Sequence, residues 1–282
     1  MSTAEERGAG PKPRADPPPP QGISDPLADT ANRAGPRVVK IIRRYRYSTR
    51  SWHTRSGPDD TPGSFAPIGC PVNQLRVVAH PGRTSSPLQL QASYSSYTWP
   101  SAPVLAWFLW EHRLELPGKH IVELGSGTAL PGILAAKCGA TVTLTESAIL
   151  PKSLQHVRRC CEVNGLHSNQ VRVIGLTWGL FLANTFSLGP IDLIIGSDCF
   201  YEPSVFEDII VTVTFLLENN PQARFLSAYQ ERSADWSIEH LLHKWNLRCE
   251  HIPLNSLGAS SGIDINELMQ DHTIHLLEIT RA

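Results

Sequence analysis

The chain has 282 residues, a formal net charge of −1 and a pI near 6.8, which leaves no global electrostatic reason to expect a nucleic-acid partner. That length allows one large domain, or one domain and a tail. No apolar run approaches the roughly 20 residues of a membrane span, and the 6 cysteines at Cys70, Cys138, Cys160, Cys161, Cys199 and Cys249 form no CxxC pair. Neither a zinc site nor a disulfide framework is expected, so a reducing compartment is the natural reading.

Residues 1–36 are rich in Pro, Ala, Gly and charge and read as a disordered Pro-rich tail, because they cannot bury enough surface to fold. The opening MSTAEERGAGPKPRAD has no apolar core and is not expected to be a secretory signal; Glu5, Glu6, Asp16, Asp25 and Asp29 argue against a transit peptide. A soluble intracellular protein is the expectation.

Residues 37–93 read as a basic N-terminal extension. Between Arg37 and Arg55 stand 7 Arg or Lys and no acid. Two readings remain open: a nuclear-localisation or acidic-partner patch, and a strand edge defended by charge. Val38–Tyr47 and Leu75–Ala79 predict the two strands of a small β hairpin.

Residues 94–282 read as one α/β domain. Val104, Leu105, Trp107, Phe108, Leu109 and Trp110 predict a helix that is apolar nearly all round and therefore buried. Trp99 precedes it, with two readings open: a cation–π contact to a positively charged ligand, or packing on the sheet. His120–Leu124 suits a buried parallel strand. Gly125-Ser126-Gly127 then turns the backbone sharply, Leu130–Cys138 is helical, and Thr141–Thr145 is a second strand ending at Glu146.

A carboxylate about 20 residues beyond a glycine turn, at the tip of the next strand, is placed for the ribose hydroxyls of a nucleoside. The dinucleotide pattern GxGxxG needs a third glycine where this chain has Leu130, so a pyrophosphate clamp is disfavoured. Glu123 suits a cationic part of the ligand, such as an amino group. Glu-x-Gly-x-Gly is the pattern of S-adenosylmethionine sites in doubly wound methyltransferases.

Further on, Leu150, Leu154, Val157 and Cys161 recur at helical spacing. Val171–Leu176 predicts a third strand leading to Trp178. Ile191–Gly196 is an unbroken apolar run and the best candidate for the sheet centre; it opens into Asp198, Tyr201 and Glu202. Val205–Leu216 predicts a helix and Phe225–Tyr229 a fifth strand. A helix around Ile238–Trp245 follows with Ser233 as its cap, and Leu247–Leu254 and Thr273–Ile279 are two final strands. The loop Asn255–Asp271 between them is polar and expected to be mobile. Strand tips on one rim of such a sheet form the ligand site, which gathers Gly125, Glu146, Trp178, Asp198 and Tyr229.

From about Tyr94 to Ile279 the motifs WPSAPVLAWFLW, LPGILAAKCGA, GLTWG, EPSVFEDI and RSADWSIEHLLHKW resemble those of the seven-stranded, family-sixteen methyltransferases. The resemblance implies a Rossmann-like class I methyltransferase sheet with helices on both faces and its last strands antiparallel. It implies S-adenosylmethionine as donor and a protein acceptor. For the branch these motifs look closest to, it implies arginine methylation on histone H3 in nucleus and cytoplasm, with chaperones or transcription factors as possible partners. Gly125, Gly127 and Glu123 are then expected at the methionine part of the donor, Glu146 at the ribose, and Trp178 and Trp99 beside the donor. Asp198, Tyr201 and Glu202 are expected at the acceptor.

The acceptor stays open between two residues. A guanidinium needs carboxylates that grip it in a fork, which Asp198 and Glu202 supply. Asp198-Cys199-Phe200-Tyr201 also fits the Asp-x-x-Tyr of lysine-methylating members. A nicotinamide oxidoreductase and a non-catalytic interaction module are the rival classes.

Overall fold

The computed structural model describes residues 37–40, 75–79, 95–255, 257, 264–269 and 271–282. The Pro-rich tail, most of the basic segment and Cys70 lie outside the described residues. Strands β1 (Arg37–Lys40) and β2 (Arg76–Ala79) pair antiparallel, Arg37 opposite Ala79, and residues 41–47 of the expected first strand lie outside the described residues.

The main sheet has seven strands: β3 (His120–Glu123), β4 (Thr141–Glu146), β5 (Val171–Gly175), β6 (Leu193–Ser197), β7 (Arg224–Gln230), β8 (Leu247–His251) and β9 (Ile274–Arg281). Their order across the sheet is β5-β4-β3-β6-β7-β9-β8. All pairings from β5 to β7 are parallel, and β9 runs against both β7 and β8. The order reverses between β3 and β6, so the crevice of an open α/β sheet lies beyond the tips of these two strands. The unbroken apolar strand β6 is the central one of the seven.

Helices cover both faces. On one side lie α1 (Ser101–Glu111), α2 (Leu130–Lys137) and α3 (Pro151–Val163); on the other lies α5 (Phe206–Asn219), with α6 (Glu239–Lys244) beside it. The short helix α4 (Ala183–Phe186) precedes β6. Strand alternation assigns the side chains: Ile121 and Ile195 enter the first core, Val122 and Ile194 the second. In α1 the residues from Ser101 to Trp107 are all buried, which explains an apolar pattern without a polar stripe.

Three expectations are corrected. The buried face of α3 is Ser153, His156, Val157, Cys160 and Cys161, more polar than the apolar spacing suggests. Ser233 does not cap α6; its Oγ accepts the Asp235 N–H at 3.3 Å, while Ser237 Oγ accepts the N–H of Glu239 at 3.2 Å. The stretch after β8 is not wholly irregular, because Ile265–Met269 forms helix α7, and Leu257 and Leu268 are buried in the core that contains α1.

Candidate active site

The turn after β3 is held by side chains on both flanks. Gly125 and Gly127 have φ of 61° and 54°, a region open to glycine at no steric cost. Between them, Ser126 donates its N–H to Thr145 O at 2.9 Å, and its Oγ accepts the Thr145 N–H at 3.0 Å. The turn is therefore stitched to the next strand before any ligand contact.

Glu146 closes this arrangement. Its Oε1 accepts the Gly127 N–H at 2.6 Å. Burial raises the carboxyl pKa, and hydrogen bonds from the backbone of Gly127 and Ser147 pull it back. A carboxylate on the N–H that a phosphate would need makes the turn hostile to a pyrophosphate, in agreement with Leu130 at the third glycine position. It suits neutral hydroxyl donors.

The space beside Gly125 is filled by an indole. A Cβ on Gly125 would stand 2.9 Å from Trp178 Cζ2 and 4.0 Å from Cys199 Sγ. Trp178 in turn lies near Tyr201, ring centroids 6.3 Å apart at 51°. Tyr201 is 46% exposed. Partial burial, then the neighbouring Cys199, Glu146 and Glu202, raise its phenol above the usual range, so it remains a neutral hydroxyl whose oxygen can accept an N–H at physiological pH.

Glu123 is not on the rim. Sequence reasoning aims it at an amino group of the ligand, but it lies on the face of β3 shared with Ile121 and is 0% exposed beneath α2. Its Oε2 accepts the Gly132 N–H at 3.2 Å, and Oε1 is buried without a hydrogen-bond partner. Desolvation by burial pushes its pKa up to about 8, against the pull of the Gly132 hydrogen bond. Gly132 is what admits it: a Cβ there would stand 2.4 Å from Leu144 Cδ2 and 2.5 Å from Glu123 Oε2.

Asp198, at the tip of the central strand, has φ of 60° and is buried. Sequence reasoning offers its carboxylate to an incoming guanidinium, yet both oxygens are engaged within the chain. Oδ1 accepts the Gln230 N–H at 3.1 Å and Arg232 Nη1 at 3.0 Å, while Oδ2 accepts Arg232 Nη2 at 2.6 Å. The Arg232 guanidinium also lies over Trp99, with Cζ 5.3 Å from the ring centroid. Glu202 is exposed and in no ion pair among the described residues. Arg232 is the residue that sequence reasoning missed. Its signal was a single cation just beyond the tip of β7, where an acid at the neighbouring β6 tip needs a partner.

These features coincide with a family. A profile described as "Lysine methyltransferase", the sixteenth methyltransferase family, matches residues 88–241, more than half of the chain. The chain belongs to this family. The rat protein named histone-arginine methyltransferase METTL23 is 52% identical over 198 residues, covering 70% of this chain and 87% of its own length. Its human namesake is 50% identical over 188 residues, covering 66% and 97%. The mouse protein N-lysine methyltransferase METTL21A is 37% identical over 132 residues, covering 46% and 59%.

The protein is thus an S-adenosylmethionine-dependent methyltransferase, and the residues at the crevice fit that donor. Glu146 keeps acceptor lone pairs for hydroxyl donors, the two glycines leave space beside the turn, and Trp178 offers an aromatic ring next to Gly125. No helix among the described residues of this methyltransferase is long and apolar enough to cross a membrane.

Proposed function

We propose that this methyltransferase modifies proteins, placing methyl groups on arginine of histone H3, and that it acts in chromatin and transcription regulation in nucleus and cytoplasm. Two relatives at 50–52% identity carry the name histone-arginine methyltransferase. The geometric observation that carries the reading is Glu202, an exposed carboxylate at the rim that is in no ion pair among the described residues and is left to grip an incoming guanidinium.

When bound, the donor supplies an electrophilic methyl group on a positively charged sulfur. In our reading Gly125 and Gly127 border its methionine part, Glu146 holds the ribose and Trp178 flanks the adenine. The remaining task of the protein is to align a nitrogen lone pair with that methyl and to exclude water. Glu202 draws the cationic acceptor to the rim, and Tyr201 fixes its nitrogen by hydrogen bonding. Asp198 acts through Arg232 and the loop it opens.

A second reading is favoured by one observation. With Asp198 engaged by Arg232, the rim keeps the Asp-x-x-Tyr residues but has one fewer carboxylate for a guanidinium, which suits a lysine acceptor on a non-histone protein. Incubation of the chain with isotope-labelled S-adenosylmethionine and histone H3, followed by mass-spectrometric mapping, decides between them. Methyl on arginine is expected. Methyl on lysine alone overturns the arginine assignment, and donor binding without transfer to any peptide of a broad panel favours a non-catalytic module.

A further inference from the structure

We propose that Arg232 is a positioning residue that couples the segment covering the donor turn to the loop after β6. Ser95–Trp99 runs across the glycine turn. Ser95 Oγ lies 2.7 Å from Ser153 Oγ, Thr98 Oγ1 donates to Thr128 Oγ1 at 3.3 Å, and a Cβ on Gly127 would stand 3.4 Å from the Ser95 carbonyl oxygen. The last residue of that cover, Trp99, meets Arg232, whose guanidinium is also held by Asp198. Nη1 of Arg232 also donates to Gln230 O at 3.2 Å, which fixes the side chain to the tip of β7.

Asp198 opens the loop that carries Cys199, Tyr201 and Glu202. Its left-handed backbone is disfavoured for a residue with a Cβ, and it is fixed by its own N–H to Ala228 O at 2.6 Å and by the side-chain bonds to Gln230 and Arg232. The next residue, Cys199, donates its Sγ to Leu124 O at 3.4 Å, directly before the glycine turn. One guanidinium, 20% exposed, therefore touches the cover over the donor and the start of the acceptor loop together. Only an arginine fits this place. Its planar fork matches both carboxylate oxygens while its Cζ lies over the Trp99 ring, and an ammonium cannot do both.

The proposal extends the donor-site reading and is independent of the acceptor, because its test measures donor binding alone. S-adenosylmethionine and S-adenosylhomocysteine affinities are measured by calorimetry on the full chain for Arg232→Lys, Trp99→Ala and the double variant. Each single change is expected to weaken both ligands about tenfold, and the double variant to be no weaker than the worse single, since the two residues act through one contact. Trp99→Phe, which keeps a ring for the guanidinium, is expected to recover most of the loss and serves if Arg232→Lys does not fold. Additive losses of roughly a hundredfold in the double variant, unchanged affinity in Arg232→Lys with only a lower melting temperature, or Trp99→Phe as weak as Trp99→Ala would each overturn the coupling.

Discussion

Glu146 Oε1 and the Gly127 N–H meet at 2.6 Å, joining the tip of β4 to the turn that follows β3. The contact spans 19 residues, and it is the spacing itself that gives the site its character. A buried carboxylate at this point occupies the N–H that anion-binding turns reserve for phosphate, and it leaves its remaining lone pairs for neutral donors such as hydroxyls.

Glu146→Gln keeps the shape of the side chain but removes the charge. Hydrogen bonds to a charged acceptor contribute about 1.5–3 kcal/mol, so S-adenosylmethionine binding is expected to weaken at least about tenfold. Calorimetry on wild type and variant measures it. An unchanged dissociation constant would remove Glu146 from the donor site.

Glu123 makes stability fall as pH rises. Its folded pKa is about 8, above the 4.5 of an ordinary glutamate, so the folded state holds a proton that the unfolded state has released between these values. The sign follows: below about pH 4.5 the group contributes nothing, and from there to about pH 8 folding loses roughly 1.4 kcal/mol per pH unit from this residue. Glu146, also raised by burial, acts in the same direction. Glu123→Gln is neutral at every pH and keeps an acceptor for the Gly132 N–H, so its melting temperature is expected to vary less between pH 5 and pH 8, with the largest gain over wild type at the alkaline end. Parallel pH profiles would mean that Glu123 is ionised in the folded protein.

Tyr201 and Glu202 separate chemistry from acceptor binding. Tyr201→Phe removes a hydroxyl oxygen that accepts an N–H of the reacting nitrogen while keeping the ring near Trp178, and is expected to lower kcat about tenfold, the value of one hydrogen bond made at that nitrogen. Glu202→Gln is expected to raise the acceptor KM and leave kcat nearly unchanged, because an exposed charge steers and holds a cationic segment. Steady-state assays with a fixed peptide read both. A loss of donor affinity in either variant would place the residue on the other side of the crevice.

The parts of this fold that were legible in the sequence are those set by local periodicity. The apolar run at β6 marked the sheet centre, and the glycine turn with Glu146 marked the crevice, because turn chemistry and spacing along the chain encode both. Other features depend on which face or neighbour a residue meets. Glu123 adjoins the turn in sequence, yet strand alternation carries it under α2, where Gly132 makes room. Arg232 and Asp198 lie on different strand tips, and their pairing follows only once β6 and β7 are neighbours. The short helix Ile265–Met269 is too brief for a periodic signal and is held by Leu268 against the core.

The central claim, that the crevice over the glycine turn binds S-adenosylmethionine, is tested most directly by titrating the donor into wild type and Gly125→Arg. At Gly125 the φ of 61° and the Trp178 ring 2.9 Å from a Cβ position leave no room for a side chain. Saturable binding by wild type and none by a folded Gly125→Arg is the predicted result. Equal affinity in the two proteins would contradict the site.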